Sequence, residues 1–110
     1  MKVDILTLPE FEREFKRLSK KYHLLVDDYA QLLEDLEKSP LQGTSLGMGT
    51  RKVRMGVDSK GGGKSGGMRV ITYTVIQKSA DLMELTLLYI YDKSEINSVS
   101  PRFIKYLLGR

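Results

Sequence analysis

Five of the seven residues from Gly61 to Gly67 are glycine, and an apolar, β-rich run lies on each side of them. A loop of that composition between two such runs fixes the local fold as a hairpin, one strand entering the glycine segment and the next leaving it. The flanks are basic. Residues 51–69 read RKVRMGVDSKGGGKSGGMR and carry Arg51, Lys52, Arg54, Lys60, Lys64 and Arg69 against the single acid Asp58, a net charge of +5 in a chain whose total is +4. A basic strand, a flexible basic tip and a second strand opened by Arg69 suit a polyanion, and nucleic acid is the commonest one.

The charge asymmetry runs through the whole chain. Residues 1–40 hold seven basic and nine acidic side chains, whereas residues 41–110 hold eleven and five. One surface built for an anionic partner accounts for this; a basic face of no consequence is the bland alternative. At 110 residues and 41% hydrophobic, one domain spanning 1–110 with a single core is expected. The absence of cysteine excludes disulfides, thiolate zinc sites and cysteine nucleophiles. No apolar run approaches the roughly 20 residues of a membrane span. The N-terminal MKVDILTLPE has too short an apolar stretch for a signal peptide. We therefore expect a cytoplasmic protein with no membrane partner.

Periodicity gives the remaining elements. Residues 1–6 read as a short strand. Thr7-Leu8-Pro9-Glu10 matches a helix start with Thr7 as cap and Glu10 closing a capping box. Phe11, Phe15, Leu18 and Tyr22 then form one apolar stripe, and a second helix over residues 23–38 carries Leu25, Tyr29, Leu32, Leu33 and Leu36. Pro40 ends it. The two helices should form a hairpin joined near residues 20–23. Residues 41–50 read as a glycine-rich connector. Residues 51–57, 68–76 and 82–91 read as strands, the last apolar on both faces and so central or helix-covered. Ser100-Pro101 starts a final helix with Ser100 as cap. The expected class is α+β, order β-α-α-β-β-β-α, with an N-terminal helical hairpin packed on a mainly antiparallel sheet.

Several chemistries find no support. Gly63-Lys64-Ser65 invites a P-loop, but Asp58 stands where the first glycine belongs and a β-run follows in place of a helix. His23, the single histidine, sits in the acidic half at a helix junction, which suits a capping or surface role. Asp27-Asp28 and Glu34-Asp35 read as solvated helix faces. No Asp, Glu or His cluster has metal-ligand spacing, so neither metal nor cofactor is expected. There remain Lys52, Arg54, Arg69 and Lys93 with Tyr73, Tyr89 and Tyr91, all placed to converge on one end or face of a small sheet. Such a cluster can simply bind phosphate, or it can stabilise the charge that builds up in phosphoryl transfer. Residue types alone leave both open. The glycine tip with Lys60 and Lys64 is likewise either a mobile contact to the polyanion or a loop without a role.

The segment Lys60-Gly61-Gly62-Gly63-Lys64-Ser65-Gly66-Gly67-Met68-Arg69 resembles the KGxGKxGGxR loop of RelE-type toxins of bacterial toxin–antitoxin systems, in particular the HigB-like branch. Tyr91, Lys93 and Glu95 match that branch's Y-x-K-x-E pattern at the end of the strand over residues 82–91. With the element order, the resemblance covers nearly the whole chain. It implies a ribosome-dependent, metal-independent mRNA endonuclease whose substrate lies in the 30S A site. In this chemistry the ribose 2′-hydroxyl attacks the adjacent phosphate and the 5′-oxygen leaves. It also implies a cognate antitoxin that covers or displaces the basic site.

By position, Lys52 matches a first-strand lysine that serves as general base or phosphate contact. Arg54 stands where a second lysine is common. Arg69 matches the arginine on the scissile phosphate. Arg51, Lys60 and Lys64 would contact RNA. Ser94 and Val99 stand where RelE itself has an arginine and, nearby, a tyrosine, which leaves Lys93, Tyr91 or Tyr89 to serve in their place. Two other classes remain: a ParE-like gyrase poison, disfavoured by the joint presence of Lys52, Arg54 and Arg69, and a non-enzymatic RNA-binding module.

Overall fold

A computed structural model describes residues 1–56 and 67–110. The strand expected over residues 51–57 and the glycine tip with Lys60 and Lys64 therefore fall partly or wholly outside the described residues. The elements are β1 (Lys2–Thr7), α1 (Pro9–Lys21), α2 (Leu25–Lys38), β2 (Thr44–Gly47), β3 (Thr50–Met55), β4 (Met68–Gln77), β5 (Leu82–Asp92) and α3 (Pro101–Leu107), with a short 3₁₀ turn over Lys78–Ala80. The class is α+β, as expected. Among the described residues the sheet has five strands in the order β1-β5-β4-β3-β2, with β1 parallel to β5 and every other pairing antiparallel.

The additional strand is β2, inside the glycine-rich segment expected to be a connector. Thr44 pairs with Lys52 and Ser45 with Arg51. Gly47, Met48 and Gly49 all take positive φ, which turns the chain within three residues, and Thr50 Oγ1 donates to the Gly47 carbonyl at 2.6 Å. The composition marked the turn and hid the strand beside it. The capping box expected at Thr7 and Glu10 is also corrected. Thr7 stays in the ladder opposite Leu87, and Leu8 N–H donates to the Leu87 carbonyl at 3.1 Å. Leu8 is thus the residue before α1, with no side-chain cap. At α3 the expected cap is present: Ser100 Oγ accepts from Phe103 N–H at 3.1 Å.

The helical hairpin covers one face of the sheet. Phe11, Leu18, Leu25, Leu32 and Leu36 pack with Val53, Met55, Met68, Val70, Leu85, Leu87 and Ile90. The Phe15 and Tyr29 rings meet at 4.7 Å between centroids, tilted by 50°, and close the hairpin. On the opposite face α3 brings Leu107, Phe103 and Leu108 against Ile71, Leu88, Tyr89 and Tyr91. β5 is therefore an interior strand covered on both sides. A register shift sets Ile71 opposite Tyr89 and Thr72 opposite Leu87, leaving Leu88 as the extra residue of a bulge. The bulge moves the alternation by one, so that Leu85 and Leu87 share the helical-hairpin face with Ile90 rather than with Tyr89. No helix among the described residues is long and apolar enough to cross a membrane.

Candidate functional site: a basic row on the α3 face of the sheet

Opposed residues in antiparallel strands project their side chains to the same face, and residues two apart along a strand share it. The register therefore defines the site. Arg54 lies opposite Arg69, and Arg69 lies opposite Tyr91. One step along, Lys52 lies opposite Ile71, which lies opposite Tyr89; Thr50 and Tyr73 follow. Lys52, Arg54, Arg69, Tyr73, Tyr89 and Tyr91 thus share the face that carries α3. Their strand neighbours Val53, Met55, Met68, Val70 and Ile90 turn into the core beneath the helical hairpin.

The row runs from solvent to interior. Arg54 is exposed and Lys52 half-buried, whereas Arg69 is 4% exposed and Tyr91 2%. Two arginines directly opposite one another repel, a placement that costs stability unless an anion lies near both. Arg69 Nη1 donates to the Met68 carbonyl at 3.2 Å, which fixes its guanidinium close to its own strand. The Tyr91 hydroxyl is buried and has no hydrogen-bond partner among the described residues. Burial pushes the Tyr91 phenol above its ordinary value, with the Arg69 charge opposing. The hydroxyl is therefore neutral near pH 7 and available to donate.

Tyr89 is half-buried, in edge-to-face contact with Phe103 at 4.9 Å, and its hydroxyl reaches Glu14 at 3.5 Å. Burial, then the neighbouring Glu14 carboxylate, raises its pKa. A phenol held protonated in this way is a donor rather than a base at neutral pH.

Other expected site residues are placed differently. Arg51 shares the face of Val53, opposite to Lys52 and Arg54, with its guanidinium 3.4 Å from the Gly43 carbonyl. Lys93 is exposed, one residue past the end of β5, and its backbone N–H meets the Gly67 carbonyl at 3.5 Å. That contact brings Lys93 to the sheet end from which β4 starts, where Arg69 lies. His23 is exposed in the turn between α1 and α2. Val99 packs among the apolar residues under α3, and Ser94 bonds Asp92.

Sequence reasoning passed over a polar network beside the row. Tyr22 Oη donates to Asp92 Oδ2 at 2.7 Å, and Ser94 donates to Asp92 Oδ1 through its N–H at 2.9 Å and its hydroxyl at 2.7 Å. Arg17 grips Glu95 with two bonds of 2.7 and 3.2 Å and Glu14 with one of 2.6 Å. These bonds hold the Glu95 carboxyl below the ordinary carboxylate range and the Arg17 guanidinium above its own. Glu95 belonged to a recognised pattern, but its partner lies 78 positions earlier on α1, which local patterning cannot reveal. Comparison with models of known protein families and with curated proteins gives no match.

Proposed function

We propose that this chain is a RelE/HigB-like toxin of a toxin–antitoxin system, a cytoplasmic endoribonuclease that cuts mRNA on the ribosome and arrests translation. The observation that carries the reading is the row Arg54–Arg69–Tyr91: two arginines at opposed strand positions, one exposed and one buried, and a buried, neutral hydroxyl on one face. Fixed donors of this kind suit a phosphodiester whose negative charge grows in the transition state. Lys52, one step along the face, supplies a phosphate contact or takes the proton from the 2′-hydroxyl. Arg54 cannot do the latter because guanidinium stays protonated. The 2′-oxygen bonds to phosphorus as the bond to the 5′-oxygen breaks, leaving a 2′,3′-cyclic phosphate and a 5′-hydroxyl. Only RNA carries the attacking group.

Expression of the chain alone in a bacterium should stop growth, and co-expression of the cognate antitoxin should restore it. Primer extension should then show cuts within translated frames that vanish when ribosomes are kept off the message. Equal cutting of untranslated RNA would contradict ribosome dependence. Intact mRNA with accumulating DNA breaks would mean a gyrase poison, and RNA binding without any cleavage would mean a binding module.

A further inference from the structure

We infer that Arg17 of α1 and Tyr22, the residue that caps its C-terminus, acting through Glu95 and Asp92, are positioning residues that hold Lys93 beside the basic row; this rests on the nuclease reading above. The chain leaves β5 at Asp92 and turns at once, and every residue around Lys93 in that turn is tied. Asp92 is fully buried and accepts from the Tyr22 hydroxyl and from two donors of Ser94. Its carbonyl accepts from the N–H groups of Glu95 at 2.9 Å and Ile96 at 3.1 Å. Glu95 is held by the Arg17 fork, with Lys21 Nζ at 3.9 Å. Lys93 N–H itself meets the Gly67 carbonyl. Between these anchors the Lys93 side chain is exposed.

Energetics argue that the network serves placement more than stability. A buried carboxylate is a poor stabiliser compared with an apolar side chain of similar size, even when fully bonded. An exposed ion pair contributes little to stability, about 0–1 kcal/mol at most sites. Arg17 and Glu95 are 51% and 32% exposed, so their pairing is of that weak kind. What a two-bond Arg–carboxylate contact supplies in any setting is a fixed geometry. Here that geometry sets the turn two residues from Lys93, and α1 is the rigid element that sets it.

The test compares wild type, Arg17→Ala, Lys93→Ala and the double variant in single-turnover cleavage of ribosome-bound mRNA, with ribosome affinity and melting measured in parallel. Arg17→Ala should slow cleavage roughly ten- to a hundredfold, the scale of a misplaced catalytic group, while affinity and melting hold. The double variant should be no slower than Lys93→Ala alone, within about twofold, because both changes act through one group. Charge exchange, Arg17→Glu with Glu95→Arg, should recover part of the rate.

In the free protein, the Lys93 amide order parameter should fall from about 0.85 towards 0.6 in Arg17→Ala. Multiplying losses in the double variant, an unchanged rate, or a loss confined to affinity would overturn the inference. An unchanged Lys93 order parameter would overturn it independently of any cleavage. A wild-type protein that leaves ribosome-bound mRNA intact would instead end the nuclease reading.

Discussion

Arg69 joins the two properties that the proposed chemistry requires. It is 4% exposed and is seated in β4, so its fork is held by the sheet rather than by the glycine segment that precedes it. Arg69→Ala should cost roughly 2.7–4 kcal/mol of transition-state stabilisation, on the order of 10²–10³ in cleavage rate, as for a lost oxyanion donor. Arg69→Lys should regain only part, because an ammonium cannot present two donors in one plane. Circular dichroism and melting of both variants check that the fold persists.

Tyr91 gives a prediction with a sign. Its folded pKa is raised above the ordinary 10.0 by burial. The stability linked to the neutral phenol is therefore complete below that value and lost as pH rises through the higher folded one. Melting temperature should fall more steeply from about pH 9 to about pH 11 in wild type than in Tyr91→Phe. Equal slopes would mean that the hydroxyl is hydrated in the folded protein.

The elements show where reading by pattern succeeds. α1 and α2 were legible because their apolar residues recur with the helical period, and β4 and β5 because each is a long run rich in apolar, β-branched and aromatic residues. β2 was not, since Thr44–Gly47 has four residues and its pairing partner, not its own pattern, makes it a strand. Gly43 is what lets β2 approach β3. Its φ is +96°, and a Cβ there would lie 2.5 Å from the Lys52 carbonyl oxygen. Gly43→Ala should therefore cost about 1–3 kcal/mol, read as a lowered urea midpoint at unchanged slope. Because the clash falls on the backbone of Lys52, cleavage should drop further than the remaining folded fraction explains.

Candidate residues on the strands were legible as a set, since alternation alone puts Lys52 with Arg54 and Arg69 with Tyr73. The depth of the row was not legible, because it depends on α3 lying over Tyr89 and Tyr91, a contact between distant segments. The bulge at Leu88 was also hidden, and without it the face of β5 that carries Tyr91 would be assigned wrongly.

Along the chain, residues 1–40 carry nine acidic against seven basic side chains, whereas residues 51–69 carry six basic side chains against one acid. The proposed RNA interface would bind by releasing counterions from nucleic acid, so ribosome affinity should fall steeply between about 50 and 200 mM salt. A flat profile would mean that shape or apolar contact dominates. In the proposed reaction the 2′-hydroxyl is the attacking group, held against a phosphate on the Arg54–Arg69–Tyr91 face. The direct measurement is single-turnover cleavage of a ribosome-bound mRNA carrying one 2′-deoxynucleotide on the 5′ side of the mapped cut. The account predicts that this message stays intact at that position, while the all-ribose message yields a 2′,3′-cyclic phosphate and a 5′-hydroxyl. Cleavage of the deoxy-substituted message at the same bond and rate would contradict it.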